Sequence, residues 1–384
     1  MIPYGRQIIS NEDIESVVRV LRSDYLTQGP QVPLFEKAVT RHLGVPYAVA
    51  VSNATAALHM ACLALDLSNG DWLWTSPNSF VASANCALYC GAQVDFVDVD
   101  PRTYNMCPVA LSDKLEKAKQ TGTLPKVVVV VHFAGQSCDM KAFSKLSEEY
   151  GFGLVEDASH AIGGRWQGAY IGNCKHSDIT IFSFHPVKII TTAEGGMLTT
   201  RNLGLAQRLT DLRGHGITRE NDRLHRQDQG AWYYEQQSLG FNYRMTDMQA
   251  ALGVSQMTKL NQFVTRRHEL VCRYEQGLKG LPLLKPWQHP DSYSAFHLYP
   301  IQVADEASLD RMQLFTALRD VGILVNVHYI PIHLQPHYSN MGFKAGDFPN
   351  AEAYYKRAIS LPLHAGITDS QQEYIITTIV GLLK

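Results

Sequence analysis

Short apolar runs alternate with helical segments between residues 45 and 200. Most of the runs are apolar at consecutive positions rather than at every second position, and they are rich in β-branched residues. A strand of this kind has both faces buried, which is typical of a parallel sheet covered by helices. The pattern therefore predicts an α/β fold with strands over 47–51, 72–75, 94–98, 127–131, 153–156, 179–182 and 197–200.

Segments with helical periodicity fill most of the gaps between these runs. Ser52 and Asn53 are suitable N-cap residues for a helix over 54–65. Further helices are predicted over 14–21, 33–43, 80–90 and 140–150.

The pattern changes after residue 205. The chain is polar over 205–230, and its segment 220–237 is a candidate for a loop over a binding site. One long helix is then predicted over 245–275. A proline-containing connector over 281–290 leads to strands over 296–303 and 323–327 and helices over 308–321, 351–359 and 371–383. We therefore predict a large domain over residues 1–250 and a smaller α/β domain over 251–384.

Charge and composition exclude several classes of protein. The 34 Lys and Arg residues are balanced by 36 Asp and Glu residues, which argues against binding to nucleic acid or an anionic membrane. The longest aliphatic run, 127–131, is far shorter than the roughly 20 residues of a membrane span. The N-terminus does not resemble a signal peptide, and the seven cysteines are an odd number scattered through apolar segments. We expect a cytoplasmic protein with reduced thiols.

Lys188 follows a predicted strand in the segment Ser183-Phe-His-Pro-Val-Lys188 and precedes a Gly-Gly pair. Apolar neighbours would desolvate its amine. Desolvation lowers the pKa of an amine and makes it nucleophilic toward carbonyl groups. Taken alone, the segment also fits an ordinary surface lysine.

Two carboxylates, Glu156 and Asp157, stand at the end of another predicted strand. The carboxyl ends of parallel strands form the edge at which open α/β sheets bind ligands. The chain between Asp157 and Lys188 is long enough for a crossover and another strand, so both side chains can meet at that edge. An acid that keeps a pyridine nitrogen protonated and a lysine that forms an imine are the minimum that pyridoxal phosphate requires. By itself, Asp157 fits a helix cap or a turn equally well.

Small and hydroxylated residues open the helix predicted after the first strand of the sheet, in Ser52-Asn-Ala-Thr55. Free backbone N–H groups and the dipole at a helix N-terminus bind phosphate. This signal is weak alone, because such residues cap most helices. With Asp157 and Lys188 it supplies a phosphate site.

Three motifs are specific: Asp157-Ala-Ser-His-Ala161, Ser183-Phe-His-Pro-Val-Lys188 and Thr192-Ala-Glu-Gly-Gly196. Through them the chain resembles, over essentially its whole length, the sugar aminotransferase family of fold-type I pyridoxal phosphate enzymes. Gly240-Phe-Asn-Tyr-Arg244 and Val327-His-Tyr-Ile-Pro-Ile332 resemble in particular the nucleotide-sugar 4-aminotransferases of pseudaminic acid biosynthesis. The resemblance implies a mainly parallel seven-stranded sheet in the large domain.

The resemblance also implies how the cofactor, pyridoxal 5'-phosphate, is held. Lys188 would form the imine, and Asp157 would hold the pyridine nitrogen. Relatives that remove a sugar hydroxyl carry histidine in place of this lysine, so Lys188 favours transamination. The other implied contacts are Ala54, Thr55 and Ser183 at the phosphate, Phe80 against the ring, His160 near the ring hydroxyl, and Asn242 reaching the phosphate from a neighbouring subunit.

The implied substrates are L-glutamate, as amino donor, and a UDP-linked 4-keto-6-deoxy-HexNAc sugar. A dTDP-linked ketosugar is an alternative within the same family. The implied assembly is a homodimer with shared active sites. The implied substrate contacts are Tyr4, Asp24, Tyr25, Leu26, Thr27, Ala56, Ser183, Asn242, Val327, His328, Tyr329 and Ile330.

Three other functions compete. A nicotinamide dehydrogenase is disfavoured because no G-x-G-x-x-G motif follows the first strand. A metal hydrolase would use His328, His333 and His337, but Pro331 and Pro336 prevent a helix that aligns them. A non-catalytic sensor on the same fold would need an added DNA-binding region, and no basic module is present in the sequence. We expect no metal site.

Overall fold

A seven-stranded sheet forms the centre of the molecule. The computed structural model describes residues 1–226 and 228–384. Gly196–Thr200 runs antiparallel to both of its neighbours, and the remaining pairs are parallel. The mainly parallel α/β sheet is therefore confirmed. Its strands, in sheet order, are Tyr47–Val51, Gly196–Thr200, Ile179–Ser183, Gly153–Asp157, Val127–Val131, Trp72–Thr75 and Gln93–Phe96.

The strand Val127–Val131 explains why the runs are continuously apolar. Val127 and Val129 pack into the core on one face of the sheet, and Val128 and Val130 pack into the core on the other. Successive side chains of a strand point to opposite faces, so both faces need apolar residues when helices cover both. The helices of the chain are Asn11–Leu21, Gln31–Leu43, Ala54–Ala64, Ala82–Tyr89, Pro108–Thr121, Met140–Tyr150, Leu203–Arg213, Asp247–Met257, Leu260–Gly277, Arg311–Asp320, Pro336–Ser339, Pro349–Arg357 and Asp369–Leu383.

The C-terminal part has its own core around a small antiparallel sheet. The helix Leu260–Gly277 joins the two cores, because Val264 packs on the side of the central sheet and Leu270 packs on the C-terminal side. The division at residue 250 stays a prediction. The shorter strand pairings are Ile2–Pro3 with Ile323–Leu324, Ile217–Thr218 with Glu235–Gln236, the sheet of Leu283–Leu284, Tyr299–Val303 and Ala358–Leu361, and the sheet of Ser292–Tyr293, Arg165–Trp166 and Ala169–Tyr170.

The single long helix predicted over 245–275 is wrong, because Asp247–Met257 and Leu260–Gly277 are separate helices. The hydroxyl of Thr258 donates to the carbonyl of Ser255 at 2.7 Å, and Lys259 leaves the helix to pair with the buried Asp13 at 2.8 Å. Side-chain bonds of this kind compete with the helical ladder. The helix Pro108–Thr121 was not predicted, although it begins with proline and ends at Gly122 in the left-handed conformation.

One further prediction is corrected in detail. The strand predicted over 323–327 is only Ile323–Leu324, and the residues after it turn toward the central sheet edge. That the segment 220–237 is a loop over a binding site stays a prediction. Its Glu235–Gln236 pairs with the preceding strand Ile217–Thr218, its Arg223 forms an ion pair with Asp211, and Gln227 lies outside the described residues. Among the residues that the structure describes, no helix combines the length and hydropathy needed to cross a membrane.

Candidate active site

A cavity of about 1050 Å³ opens at the carboxyl ends of the central strands. Val131, Asp157 and Ser183 line it, and each is the last residue of its strand. These strands are neighbours and parallel, so their ends coincide. The cavity therefore lies where open α/β sheets bind their ligands.

Lys188 lies on the wall of this cavity, in the connection between the strands Ile179–Ser183 and Gly196–Thr200. The connection is closed by backbone bonds from Phe184 to Gly195 at 2.9 Å and from Thr192 to Phe184 at 3.0 Å. Burial lowers the pKa of the Lys188 amine to about 8, and the charge of Asp157 partly opposes this shift. Lys188 is thus a partly desolvated amine, as the sequence predicts, and it lies close enough to Asp157 for the carboxylate charge to affect its pKa.

Asp157 is 5% exposed and faces the same cavity. Its Oδ2 accepts a hydrogen bond from the hydroxyl of Ser83 at 2.8 Å, and its Oδ1 accepts one from the backbone N–H of Ser159 at 3.1 Å. The Ser83 hydroxyl also contacts that of Ser79 at 2.8 Å. Two donors therefore stabilise a carboxylate that stays open to a ligand on its remaining side.

The N-terminus of the helix Ala54–Ala64 opens into the cavity at Ala54, Thr55 and Ala56. Asn53 caps the helix by accepting from the N–H of Ala56 at 2.8 Å. Gly196 is needed for this arrangement, since a Cβ there would lie 2.6 Å from the Asn53 carbonyl and 2.8 Å from the Ala54 nitrogen. The close approach forms a cradle of backbone N–H groups of the kind that holds phosphate.

The opposite wall comes from Phe80 and from the segment that follows Ile323–Leu324. Phe80 is 60% exposed, although Ser79 and Ala82 nearby in the sequence are buried. His328 bonds to Ser360 at 2.8 Å, and burial, together with the charge of Lys188, lowers its pKa to about 3. Tyr4 contacts the ring of His328 with centroids 5.1 Å apart. The wall is therefore aromatic and uncharged, with one exposed ring face.

Most of the predicted site residues meet in this cavity, but some lie outside it. The cavity holds Tyr4, Ala54, Thr55, Ala56, Phe80, Asp157, His160, Ser183, Lys188, Val327, His328 and Tyr329. Asn242 and Ile330 are exposed and do not line it. Asp24 and Tyr25 line a separate groove, while Leu26 and Thr27 are exposed and bond through their backbones to Asp247 and Thr246.

Sequence reasoning missed several residues of the cavity. Ser79 and Ser83 orient Asp157, and their spacing of four positions at a helix start was a usable signal. His59 and Tyr243 line the far end and contact each other at 3.2 Å. Their sequence separation gave no indication of that contact.

The sequence profile of the DegT/DnrJ/EryC1/StrS aminotransferase family matches residues 7–380. The chain belongs to this family. The spore coat polysaccharide biosynthesis protein SpsC of Bacillus subtilis (strain 168) is 39% identical, with 100% of this chain and 97% of the relative covered. The UDP-4-amino-4,6-dideoxy-N-acetyl-beta-L-altrosamine transaminase of Campylobacter jejuni (serotype O:2) is 34% identical, with 100% and 98% covered.

Among solved structures, Helicobacter pylori PseC, an aminotransferase of pseudaminic acid biosynthesis, is similar with a TM-score of 0.89. It is 30% identical, and the alignment covers 100% of this chain and 99% of PseC. The predictions of fold type I and of a sugar aminotransferase that uses pyridoxal phosphate are confirmed.

The residues of the cavity fit this cofactor. The cradle at Ala54 and Thr55, narrowed by Gly196, suits a phosphate group, and the exposed face of Phe80 suits a flat ring. Asp157 is a buried carboxylate with one side open, and Lys188 is the amine beside it. In the part of the chain that the structure describes, no group of three His, Cys, Asp or Glu side chains is arranged to hold a metal ion. His333 instead bonds to Glu352 at 2.9 Å.

Proposed function

We propose that this enzyme transfers the amino group of L-glutamate to the C4 ketone of a UDP-linked 4-keto-6-deoxy-HexNAc sugar, as in pseudaminic acid biosynthesis. The observation that carries the proposal is the joint placement of Lys188 and Asp157 in one large cavity. The Campylobacter and Helicobacter relatives, similar over the whole chain, support the choice of sugar. The cavity volume of about 1050 Å³ is slightly above the usual range for ligand pockets, about 300–1,000 Å³, so it suits a cofactor together with a bulky substrate.

The chain's own residues then have distinct tasks. When bound, pyridoxal phosphate supplies an aldehyde that forms imines with amines and a ring that accepts electrons released at the amino donor's α-carbon. Asp157 holds a proton on the pyridine nitrogen. Lys188 Nζ, with its pKa of about 8, removes the α-proton of the donor and returns a proton later, as a general base and acid near neutral pH. Ala54 and Thr55 bind the phosphate and fix the ring against Phe80.

We further propose that two chains share each active site. Asn242 is exposed outside the cavity of its own chain, as are Leu26 and Thr27. Tyr25 is 57% exposed and Leu26 is 46% exposed, so these neighbouring apolar side chains are accessible to a partner subunit. A homodimer that brings these residues to the partner's cavity accounts for their exposure. The location in the cytoplasm stays a prediction.

The decisive experiment offers the purified enzyme a panel of UDP- and dTDP-linked 4-keto-6-deoxy sugars with glutamate and identifies the aminated product by mass and NMR. We expect turnover of a UDP-linked HexNAc ketosugar and loss of multiple turnover in Lys188→Ala. An equal mixture of Lys188→Ala and Asn242→Ala chains should regain activity if the sites are shared. Reaction with dTDP sugars alone refutes the proposed substrate, and full multiple turnover by Lys188→Ala refutes the proposed chemistry.

A further inference from the structure

Tyr329 and His160 form a hydrogen-bonded pair on the wall of the cavity. Tyr329 Oη lies 3.0 Å from His160 Nε2, and the two rings are nearly parallel, with an interplanar angle of 17°. Both line the cavity that contains Lys188 and Asp157. His160 follows a central strand and Tyr329 belongs to the C-terminal part, so the pair joins the two parts of the molecule at the site.

The direction of this hydrogen bond follows from the other ring nitrogen of His160. The backbone N–H of Ala134 lies 3.3 Å from His160 Nδ1, and a backbone N–H only donates, so Nδ1 is the acceptor. Burial lowers the pKa of His160 well below its ordinary value, and the charges of Lys188 and His328 add to the shift. The ring is therefore neutral and carries its single hydrogen on Nε2. Nε2 donates to the oxygen of Tyr329.

The turn Phe133–Gly135 fixes the donor that sets this tautomer. The side chain of Asn105 accepts from the N–H of Phe133 at 2.8 Å. Gly135 has a φ of +102°, and a Cβ there would lie 2.9 Å from the His160 carbonyl. Since the turn packs this closely on the backbone of His160, the N–H of Ala134 has a fixed position relative to the imidazole.

The hydroxyl hydrogen of Tyr329 has no acceptor within the described chain. His160 is the one hydrogen-bond partner of Tyr329 Oη among the described residues, and it is the donor. Burial, then the proximity of Tyr4 and Asp157, raises the pKa of Tyr329, so the hydroxyl keeps its hydrogen near neutral pH. A donor without an acceptor on a half-buried wall is unfavourable. A ligand oxygen in the cavity would remove that cost.

We infer that Tyr329 donates this hydrogen bond to the ring hydroxyl oxygen of bound pyridoxal phosphate, and that His160 is a positioning residue acting through Tyr329. Both nitrogens of His160 have partners in the chain, which leaves none for the cofactor. The charges of Asp157 and Lys188 act on Tyr329 and His160 respectively, so the pair lies among the residues assigned to the cofactor. The inference rests on the proposed cofactor roles of Lys188 and Asp157.

The test measures the visible absorbance of the holoenzyme against pH, without substrate. In the holoenzyme the ring oxygen shares a proton with the nitrogen of Lys188. A hydrogen bond from Tyr329 stabilises the negative charge on this oxygen, so loss of that bond raises the pKa of the shared proton. Tyr329→Phe should raise the midpoint of the colour change by about one pH unit, a tenfold change in proton affinity. His160→Leu should give a similar shift, and His160→Gln, which keeps an N–H donor, should restore the midpoint.

The double variant separates the two possible roles of His160. If His160 acts through Tyr329, Tyr329→Phe with His160→Leu shifts the midpoint no further than Tyr329→Phe alone. Additive shifts would show that His160 contacts the cofactor itself and would overturn the inference. The matched control is Tyr338→Phe, which removes a buried hydroxyl bonded to Asn85 at 2.5 Å outside the cavity and should leave the midpoint unchanged.

The remaining outcomes are also decisive. An unchanged midpoint in Tyr329→Phe, with a raised KM for the ketosugar, would assign the hydroxyl to the substrate and overturn the inference while the proposed function stands. If wild-type enzyme loaded with pyridoxal phosphate shows no visible absorbance that glutamate bleaches, the proposed function fails and this inference fails with it.

Discussion

Glu156 and Asp157 are consecutive residues of one strand, yet they have opposite surroundings. Glu156 accepts hydrogen bonds from His132 at 2.7 Å, from Thr180 at 3.0 Å and from Ser177. Burial raises the pKa of Glu156, but these bonds outweigh it and hold the pKa below its ordinary value. Asp157, on the other face of the strand, has two donors and one side open to the cavity.

The two buried histidines repeat the contrast. His132 Nδ1 accepts from the N–H of Cys138 at 3.0 Å and its Nε2 faces Glu156, which accepts without passing a hydrogen on. His160 has the same pattern, but its Nε2 faces the hydroxyl of Tyr329, which has a hydrogen of its own to give. In the His132 network each hydrogen is accepted within the chain, so this network stabilises the fold. In the His160 network the hydroxyl hydrogen of Tyr329 has no acceptor within the described chain, so this network can bind a ligand.

The strongest test of this contrast is to replace each carboxylate by its amide. Asp157→Asn removes the negative charge that we propose lies beside the pyridine nitrogen, and it should lower kcat/KM roughly a hundredfold or more while the free energy of unfolding changes little. Glu156→Gln leaves the donor from His132 without its charged acceptor and should lower that free energy by about 1–3 kcal/mol. Steady-state kinetics measures kcat/KM, and urea unfolding measures the free energy of unfolding, in each of the two variants. Equal losses of activity per folded molecule in the two variants would refute the distinction.

The pH dependence of cofactor binding sharpens the comparison for two lysines. The Lys114 amine has its partners within the chain, because its Nζ bonds to Asp95 and to the Phe96 carbonyl, both at 2.6 Å. The Lys188 amine instead faces the cavity, and burial lowers its pKa to about 8. Below pH 8 the Lys188 amine is protonated and not nucleophilic, so the rate at which cofactor-free enzyme takes up pyridoxal phosphate should fall about tenfold per pH unit. Above pH 8 the rate should level off.

Two controls accompany this measurement. Pyridoxine phosphate lacks the aldehyde, so its binding should not follow the same pH curve. Borohydride reduction followed by peptide mapping should place the cofactor on Lys188 and leave Lys114 unmodified. A rate of pyridoxal phosphate uptake that does not change between pH 6 and 8 would contradict the lowered pKa of Lys188.

The open groups are also the ones that the sequence predicted. Asp157 ends an apolar strand and Lys188 lies in the connection after another, at the sheet edge where α/β folds bind ligands. Glu156 stands beside Asp157 in the same run, and the sequence did not show that its partners lie within the fold. Ser83 was not predicted, because a serine early in a helix is ordinary and its contact with Asp157 joins distant parts of the sequence. Asn242, Leu26 and Thr27 were predicted from resemblance, and a single chain leaves them exposed.

The error over 245–275 has a physical cause in side-chain bonds. Met257 and Leu260 pack into the same core at helical spacing, so the apolar pattern continues across the break. What ends the first helix is the pairing of Lys259 with the buried Asp13 and the bond from Thr258 to its own helix. Apolar periodicity records which residues are buried. It does not record where polar side chains take over the backbone's hydrogen bonds.

The smallest expected effect distinguishes two helix caps. Asn53 caps the helix at the cavity, accepting from Ala56 at 2.8 Å, and Asn202 caps the helix Leu203–Arg213 away from it, accepting from Leu205 at 3.1 Å. Asn53→Ala and Asn202→Ala should each lower the stability of cofactor-free protein by about 1 kcal/mol. Pyridoxal phosphate should reduce the loss in Asn53→Ala, because its phosphate can accept from the freed N–H groups, and should leave the loss in Asn202→Ala unchanged. Thermal unfolding with and without cofactor measures this difference, and equal losses under both conditions in Asn53→Ala would place the phosphate elsewhere.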